Sequence, residues 1–230
     1  MTWRGRSYSL SVTDVQELLW GRPPVGVCYF LIMDFEATCD TEQWFDHEII
    51  EFPAVLLDAS SLEKVDEFRE FVQPTEQPQL TAFCKGLTSI RQIDVDNAQP
   101  LRVVLHRFRF WLDGHGLNAT TVLPVTYGDW DLKTMLPYEC LRKKLSYPDA
   151  LQRWCNIKVL YSEAFNLQHT KQWLKIDMAE MLQILRLKLV GNHHLGIDDA
   201  RNIAKIFQVL LVDPFRYGWT LPMDPYGEVS

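Results

Sequence analysis

One stretch of this sequence restricts the possible folds more than any other. Residues Val27–Met33 (VCYFLIM) are continuously apolar and include β-branched and aromatic side chains, a pattern typical of a strand buried on both faces of a sheet. The run stops abruptly at Asp34, Phe35 and Glu36. A buried strand that ends in two carboxylates predicts an α/β domain with its chemistry at the end of a central strand.

Four further strands are predicted, at Glu48–Asp58, Lys64–Val72, Val122–Tyr127 and Asn156–Leu160. Short links join the first three strands of the chain, which predicts an antiparallel meander. Pro53 lies inside the second strand and indicates a bulge or an edge position there.

Helical patterns separate the later strands. Short helical turns are predicted at Leu80–Lys85 and Ser89–Ile93, and longer helices at Leu101–Leu112, Asp131–Leu145, Met178–Leu189 and Ile197–Leu211, with a break or kink at Pro137. The expected fold is α/β, a mixed five-stranded sheet flanked by helices. We expect one domain over residues 22–212, an N-terminal extension over 1–21 and a C-terminal tail over 213–230.

Composition excludes several classes of protein. The 230 residues are 47% hydrophobic and 23% charged, which disfavours disorder or a coiled coil as the main architecture. No apolar stretch reaches the roughly 20 residues that span a bilayer, and no secretory signal opens the chain. Five cysteines without a CxxC pair favour a reducing intracellular compartment, cytoplasmic or nuclear. The net charge of −7 disfavours a protein that coats nucleic acid.

The first candidate site residues are Asp34 and Glu36. Their spacing of two in a strand puts both carboxylates on one face, with Cα atoms roughly 6–7 Å apart. Two neighbouring carboxylates repel unless a cation lies between them. The alternative is a strand end followed by a solvated turn.

Two more candidate sets of side chains lie at the ends of later predicted strands and helices. Asp129 and Asp131 come directly after the strand Val122–Tyr127, where the alternative is helix capping. His194 and Asp199 are five residues apart. They can face one site only if His194 lies on a loop before the helix, which Gly196 would permit. The alternatives are a surface histidine and acidic residues that favour a helix N-terminus.

Together these groups suit hard divalent cations. Carboxylate oxygens favour Mg²⁺ or Mn²⁺ over Zn²⁺. Two such ions, roughly 3.5–4 Å apart, can promote phosphodiester cleavage. A histidine, with an ordinary pKa near 6.5, can remove a proton from water near neutral pH.

The motifs Asp34–Cys39 (DFEATC), Asp131, and His194 with Asp199 resemble the DEDDh class of 3′–5′ exonucleases, which has an RNase H-like (DnaQ-like) fold. Within that class, the segments His47–Leu57, Val72–Thr88 and Gly128–Pro137 are similar to the ERI-type exoribonuclease family. The resemblance covers about residues 28–211.

The resemblance implies a role for each matching residue. It assigns two divalent metal ions, Mg²⁺ or Mn²⁺, to four carboxylates, and their spacing selects Asp131 over Asp129 and Asp199 over Asp198. It makes His194 the general base, with His193 as a competitor whose spacing to Asp199 does not fit, and includes Glu36 in the catalytic set. The residues implied to hold metal are Asp34, Glu36, Asp131 and Asp199, and those implied to bind substrate are Phe35, Thr38, Phe83 and Trp130. Of the latter, Phe83 and Trp130 would stack on the terminal base, and Thr38 would lie near the terminal ribose.

The implied activity is metal-dependent 3′–5′ hydrolysis of single-stranded RNA ends to nucleoside 5′-monophosphates. Two alternatives stay open: a DNA 3′ exonuclease, and a catalytically silent RNA-binding or scaffold protein with protein partners. The aromatic residues near both termini, including Trp3, Trp20 and Trp219, could dock a partner or pack back onto the domain.

Basic residues offer a further hypothesis. Residues 142–144 together with Lys171 and Lys175 are candidates for contacts to backbone phosphates. A solvated, charged helix surface is the alternative.

Overall fold

The fold is built around a mixed sheet whose central strand is the predicted apolar run. The computed structural model describes residues 8–41, 45–167 and 175–212. Its strands are β1 (Tyr8–Ser9), β2 (Tyr29–Met33), β3 (Glu36–Ala37), β4 (Ile49–Asp58), β5 (Lys64–Gln73), β6 (Gln99–Pro100), β7 (Val122–Thr126) and β8 (Arg153–Asn156). The order across the sheet is β1-β8-β7-β2-β4-β5-β6, and β3 pairs with β4 beside this path.

The pairing confirms the predicted mixed sheet. Strands β2, β4 and β5 form the antiparallel meander, while β7 runs parallel to β2 and β8 runs parallel to β7. In the part of the chain that the structure describes, five strands have four or more residues, and the other three have two residues each. The parallel pair β2 and β7 brings the carboxyl ends of two strands to one edge of the sheet.

The helices surround this sheet on both faces. They are α1 (Val12–Leu19), α2 (Ala82–Thr88), α3 (Gln92–Asp96), α4 (Leu101–Gly114), α5 (Leu136–Arg142), α6 (Ile157–Ala164), α7 (Met178–Ile184) and α8 (Gly196–Leu211). A π-helical turn, Trp130–Met135, precedes α5, and a 3₁₀ turn, Asp149–Leu151, precedes β8. Pro137 lies in the first turn of α5, directly after the change from the π-helical turn to the α-helix, so the irregularity predicted at this proline is present.

The strand predicted at Asn156–Leu160 is wrong. Strand β8 ends at Asn156, and helix α6 begins at the next residue. The side chain of Asn156 accepts a hydrogen bond from the Lys158 N–H at 3.0 Å and so caps the helix. The apolar residues that suggested a strand, Ile157 and Leu160, instead form the buried face of a helix, because a spacing of three residues also suits a helix face.

Pro53 occupies neither an edge nor a bulge. Strand β4 has neighbours on both sides, and its register runs from Ile32 opposite Val55 to Glu36 opposite Glu51. Pro53 therefore lies where β4 passes from its pairing with β2 to its pairing with β3. On this side Pro53 has no paired residue in β2 or β3, and on the other side it lies opposite Arg69 of β5.

Strand β2 is buried on both faces, as its composition predicts. Phe30 and Ile32 pack into the core beneath α1, α6, α7 and α8, whereas Leu31 and Met33 pack into the core beneath α4 and α5. Helix α8 lies directly against β2 and β4. Its N-terminus therefore reaches the same edge of the sheet as the end of β2.

Residues 8–19 pack against the domain. Strand β1 pairs with β8, and α1 buries Val15 and Leu18. Trp20 is exposed, while Trp3 and Trp219 lie outside the described residues. No helix in the described ranges is long and apolar enough to cross a membrane.

Candidate active site

Carboxylates from three separate parts of the chain meet at this edge of the sheet. Ligand oxygens of Asp34, Glu36 and Asp199 lie within 4.8 Å of one another. Asp131 joins them through the backbone, because its Oδ1 accepts a hydrogen bond from the Phe35 N–H at 2.8 Å. Phe35 lies between Asp34 and Glu36 in the sequence, so this bond ties Asp131 to the acidic strand end.

The sheet itself positions Asp34, Glu36 and Asp131. Asp34 follows the last residue of β2, and Glu36 begins β3, two residues later. Asp131 lies in the π-helical turn after β7, which is the parallel neighbour of β2. Turns of this rare type often occur at functional sites. The predicted meeting of two strand ends is therefore present.

Helix α8 supplies the fourth carboxylate. The helix begins at Gly196, so His194 lies on the preceding loop. This is the position that His194 needs if it and Asp199 are to face one site. The backbone N–H of His194 donates to Asp199 Oδ2 at 2.8 Å. His194 has a φ of 65°, and this left-handed conformation turns the chain into the helix.

The motif spacing, which favours Asp131 over Asp129 and Asp199 over Asp198, picks out the carboxylates that meet at this site. Asp129 lies elsewhere: its Oδ1 accepts hydrogen bonds from Trp154 Nε1 at 3.0 Å and Asn156 Nδ2 at 2.9 Å. Asp198 accepts from the Asn192 N–H at 2.9 Å and from Arg201 at 3.0 Å. Both residues stabilise local structure rather than the acidic cluster.

Sequence reasoning missed Glu51. This side chain is fully buried, and its carboxylate accepts from the backbone N–H groups of Gly196 at 2.9 Å and Ile197 at 3.2 Å. It also pairs with Arg69 at 2.8 Å. Glu51 thus holds the first turn of α8 against the sheet. Its position opposite Glu36 follows from the register of β3 and β4, which the sequence alone does not provide.

The cluster is electrostatically costly without a cation. Burial, followed by the charges of Asp131 and Glu36, raises the pKa of Asp34 well above its ordinary value. Burial, together with the charge of Asp199, raises the pKa of Glu36 to about 9.

The other two carboxylates behave in the same way. Burial raises the pKa of Asp131 to about 6, against the opposing hydrogen bond from Phe35. Burial also raises the pKa of Asp199, although hydrogen bonds from His193 and His194 oppose it. Divalent cations would relieve this repulsion, and an all-oxygen donor set fits Mg²⁺ or Mn²⁺.

The histidine environment differs from that of the carboxylates. Burial, with the neighbouring His193, lowers the pKa of His194, which favours the neutral imidazole. The rings of His193 and His194 stack with centroids 3.9 Å apart. The Nδ1 atom of His193 lies 3.1 Å from Asp199 Oδ2, a contact that the sequence did not indicate.

The four predicted substrate-binding residues fall into two groups. Phe83 and Trp130 are 40% and 44% exposed, so their rings are open to a ligand. Phe35 is buried against Phe52, with ring centroids 4.6 Å apart. Thr38 is buried, and its Oγ1 accepts from the Glu48 N–H at 2.9 Å.

Two of the basic residues considered as phosphate contacts have other partners. Lys143 is held between Glu48 and Glu139, 2.6 Å from Glu139 Oε1. Arg142 bonds to Glu76 at 2.8 Å and to the His47 carbonyl at 3.0 Å. Lys144 and Lys175 are exposed, and Lys171 lies outside the described residues.

Known proteins resemble this chain in sequence and in fold. The model of an exonuclease family (RNase T) matches residues 31–207. The chain is 41% identical over 201 residues to human ERI1 exoribonuclease 3, covering 86% of this chain and 58% of that protein. It is 31% identical over 222 residues to the 3′–5′ exonuclease Snipper of Drosophila melanogaster, covering 88% and 76% of the two chains. The chain thus spans less than two thirds of the human relative.

A solved structure shows the same likeness. The nuclease domain of 3′hExo, a DEDDh family member bound to rAMP, superimposes with a TM-score of 0.72 at 34% identity. The match covers 81% of this chain and 94% of that domain.

Proposed function

The chain belongs to the exonuclease family, among the DEDDh nucleases related to the ERI1 exoribonucleases, and on this premise we propose that it is a metal-dependent 3′–5′ exoribonuclease. Its substrate would be the 3′ end of single-stranded RNA. The observation that carries the proposal is the convergence of Asp34, Glu36 and Asp199, with Asp131 tied to the same strand end.

Four carboxylates would hold the metal. Asp34, Glu36, Asp131 and Asp199 present only oxygen donors, and burial makes each costly to ionise unless a cation compensates. This set fits two divalent ions, Mg²⁺ or Mn²⁺. When bound, such ions supply Lewis acidity to the phosphodiester and lower the pKa of water at the site.

His194 would act as the general base. Its lowered pKa favours the neutral form, which can accept a proton from the attacking water. The oxygen of that water forms a bond to the terminal phosphorus, and the bond from phosphorus to the preceding 3′ oxygen breaks. The released 3′ oxygen takes a proton from solvent, so the products are a nucleoside 5′-monophosphate and an RNA with a new 3′ hydroxyl. The left-handed loop and the bond from its N–H to Asp199 would hold His194 beside the cluster.

Phe83 and Trp130 would bind the terminal bases. Both rings are exposed, and aromatic stacking tolerates any base, which suits a sequence-independent exonuclease. Thr38 is buried, so it would act near the ribose mainly by fixing the strand that carries Glu36.

Paired aspartates in one loop provide a sharp test of the proposal. Asp131→Asn should reduce hydrolysis of single-stranded RNA at least about 100-fold. Mutating a residue that only orients a metal ligand already costs about 10–100-fold in activity, and loss of a ligand itself should cost at least as much. Asp129→Asn should retain most activity, because an amide oxygen can still accept from Trp154 and Asn156. Equal activity in the two variants, both folded, would remove Asp131 from the site.

The substrate class needs its own comparison. Single-stranded RNA and DNA of the same sequence should be degraded at different rates, with RNA preferred. A preference for DNA would favour the DNA exonuclease alternative. RNA binding without hydrolysis, in either metal, would favour a silent binding protein.

A further inference from the structure

His193 lies outside the catalytic set, yet it belongs to a second group of metal-binding side chains. Its Nδ1 is 3.1 and 3.2 Å from the two carboxylate oxygens of Asp199. Its ring stacks on that of His194, with an angle of 18° between the planes. One ligand atom from each of His193, His194 and Asp199 lies within 4.8 Å of the others.

The donor types of this group differ from those of the acidic cluster. Two imidazole nitrogens and one carboxylate oxygen suit Zn²⁺ and similar transition-metal ions, whereas Mg²⁺ prefers oxygen alone. In tetrahedral Zn²⁺ sites the Zn–N distance is about 2.0–2.1 Å, so neighbouring ligand atoms are about 3.3 Å apart. His193 and Asp199 are already at that separation, and the His194 ring has to leave its stack on His193 for its nitrogen to point at the same ion.

The histidine side of this group is accessible, while Asp199 is buried. His193 and His194 are both half-buried, and the His193 side chain retains 31% of its exposed area. Three protein ligands with one side open to solvent match the pattern of three-ligand Zn²⁺ sites that keep one open position.

We propose that His193, His194 and Asp199 form a binding site for Zn²⁺ or a chemically similar transition-metal dication. The site uses one carboxylate and one histidine that the proposed exonuclease reaction also needs. An ion bound there engages the His194 imidazole that would accept a proton, and it holds Asp199 toward the histidines. Binding should therefore inhibit hydrolysis, a consequence that rests on the proposed function, whereas the binding itself does not.

The binding is tested first, without nuclease activity. The full chain, free of any affinity tag, is stripped of metal and titrated with Co²⁺ in the presence of excess Mg²⁺. Tetrahedral Co²⁺ with nitrogen ligands gives an intense visible absorption. We expect this band in the native protein, and we expect His193→Asn to weaken Co²⁺ binding about tenfold or more.

The matched control is His106→Asn, since His106 is exposed on α4, away from the group. It should bind Co²⁺ as the native protein does. His194→Asn provides a second variant in case His193→Asn is misfolded by circular dichroism. An absent band in the native protein would overturn the proposal, as would a band in the His193 and His194 variants as strong as that of the native protein, or a spectrum dominated by thiolate charge transfer.

The inhibitory consequence is measured separately. Zn²⁺ is added to a reaction in excess Mg²⁺, and each variant is compared with its own rate without Zn²⁺. The native protein should lose activity at Zn²⁺ concentrations about tenfold or more below those that inhibit His193→Asn. Identical inhibition of both would contradict the shared-ligand inference. An inactive native protein that still binds Co²⁺ through His193 would refute the exonuclease proposal and leave the site standing.

Discussion

Replacing Gly196 by alanine tests how closely helix α8 must approach the end of β2. A Cβ at this position would lie 2.6 Å from the backbone oxygen of Asp34 and 3.0 Å from Cγ of Pro53. The first distance is about 0.8 Å shorter than the 3.4 Å at which ordinary contact begins. Neither neighbour is a flexible side chain, so the helix has to move away from the sheet.

The expected effects follow from that displacement. Asp199 lies in the first turn of α8, so it would move away from Asp34 with the helix. A misplacement near 1 Å can reduce a rate by about 100-fold. Overpacking costs about 1–3 kcal/mol of stability, which corresponds to a fall in Tm of roughly 2–12 °C for a chain of this size. Gly196→Ala should therefore lose both activity and stability.

The assay measures the rate of RNA shortening and the Tm of each variant. Gly114→Ala is the matched control, because Gly114 ends α4 and an added Cβ there meets nothing within 4 Å. It should match the native protein in rate. A Gly196→Ala protein as active and as stable as Gly114→Ala would refute the argument that close approach of α8 builds the site.

Three further predictions concern the buried charges. Asp34→Asn should raise the Tm in EDTA, since it relieves repulsion in the acidic cluster. It should also abolish the increase in Tm on adding Mg²⁺, which in the native protein reflects a stabilisation of about 2.7 kcal/mol at 100 times Kd. An undiminished increase would contradict the metal assignment. Lys143→Met should destabilise the fold by about 3–5 kcal/mol by leaving two glutamates unpaired, whereas Lys144→Met, at an exposed position, should be near neutral in thermal unfolding. Burial opposes ionisation of Glu48, but hydrogen bonds from Lys143 and from backbone N–H groups lower its pKa overall. The contribution of Glu48 to the free energy of unfolding is therefore present above the unfolded pKa of about 4.3, and it is lost as pH falls through the lower folded pKa. The stability difference between the native protein and Glu48→Gln should therefore shrink in acid, and a difference that grows would contradict the sign.

The order and type of most elements could be predicted because local patterns determine them. The apolar run of β2 and the helical period of α4 and α8 each indicate one structure. The strand predicted at Asn156–Leu160 failed because a short apolar run suits either a strand or a helix. The capping side chain of Asn156 decides between them, and the pattern does not reveal it.

The acidic cluster could be found because its members follow strand ends or open a helix. Glu51 and His193 could not be found in the same way. The register between β3 and β4 puts Glu51 opposite Glu36, and its contact with the first turn of α8 depends on how that helix packs on β4. The contact of His193 with Asp199 depends on a left-handed turn at the next residue. Neither register nor turn geometry was visible in residue spacing.

The basic run at residues 142–144 shows the same limit. Lysine and arginine on a helix suggest a charged surface, yet Lys143 is bound by two buried glutamates from different parts of the chain. Glu139 lies four residues before Lys143, a spacing at which helix side chains meet, but Glu48 lies 95 residues away, so only the folded structure brings it to Lys143.

The most direct test of the exonuclease proposal is the fate of a 5′-labelled single-stranded RNA of mixed sequence. With Mg²⁺ or Mn²⁺ the purified protein should produce a ladder that shortens from the 3′ end, with nucleoside 5′-monophosphates as the released product. The ladder should be absent in EDTA and in His194→Ala. Internal cleavage, release of nucleoside 3′-monophosphates, or no shortening with either metal would contradict the proposed reaction.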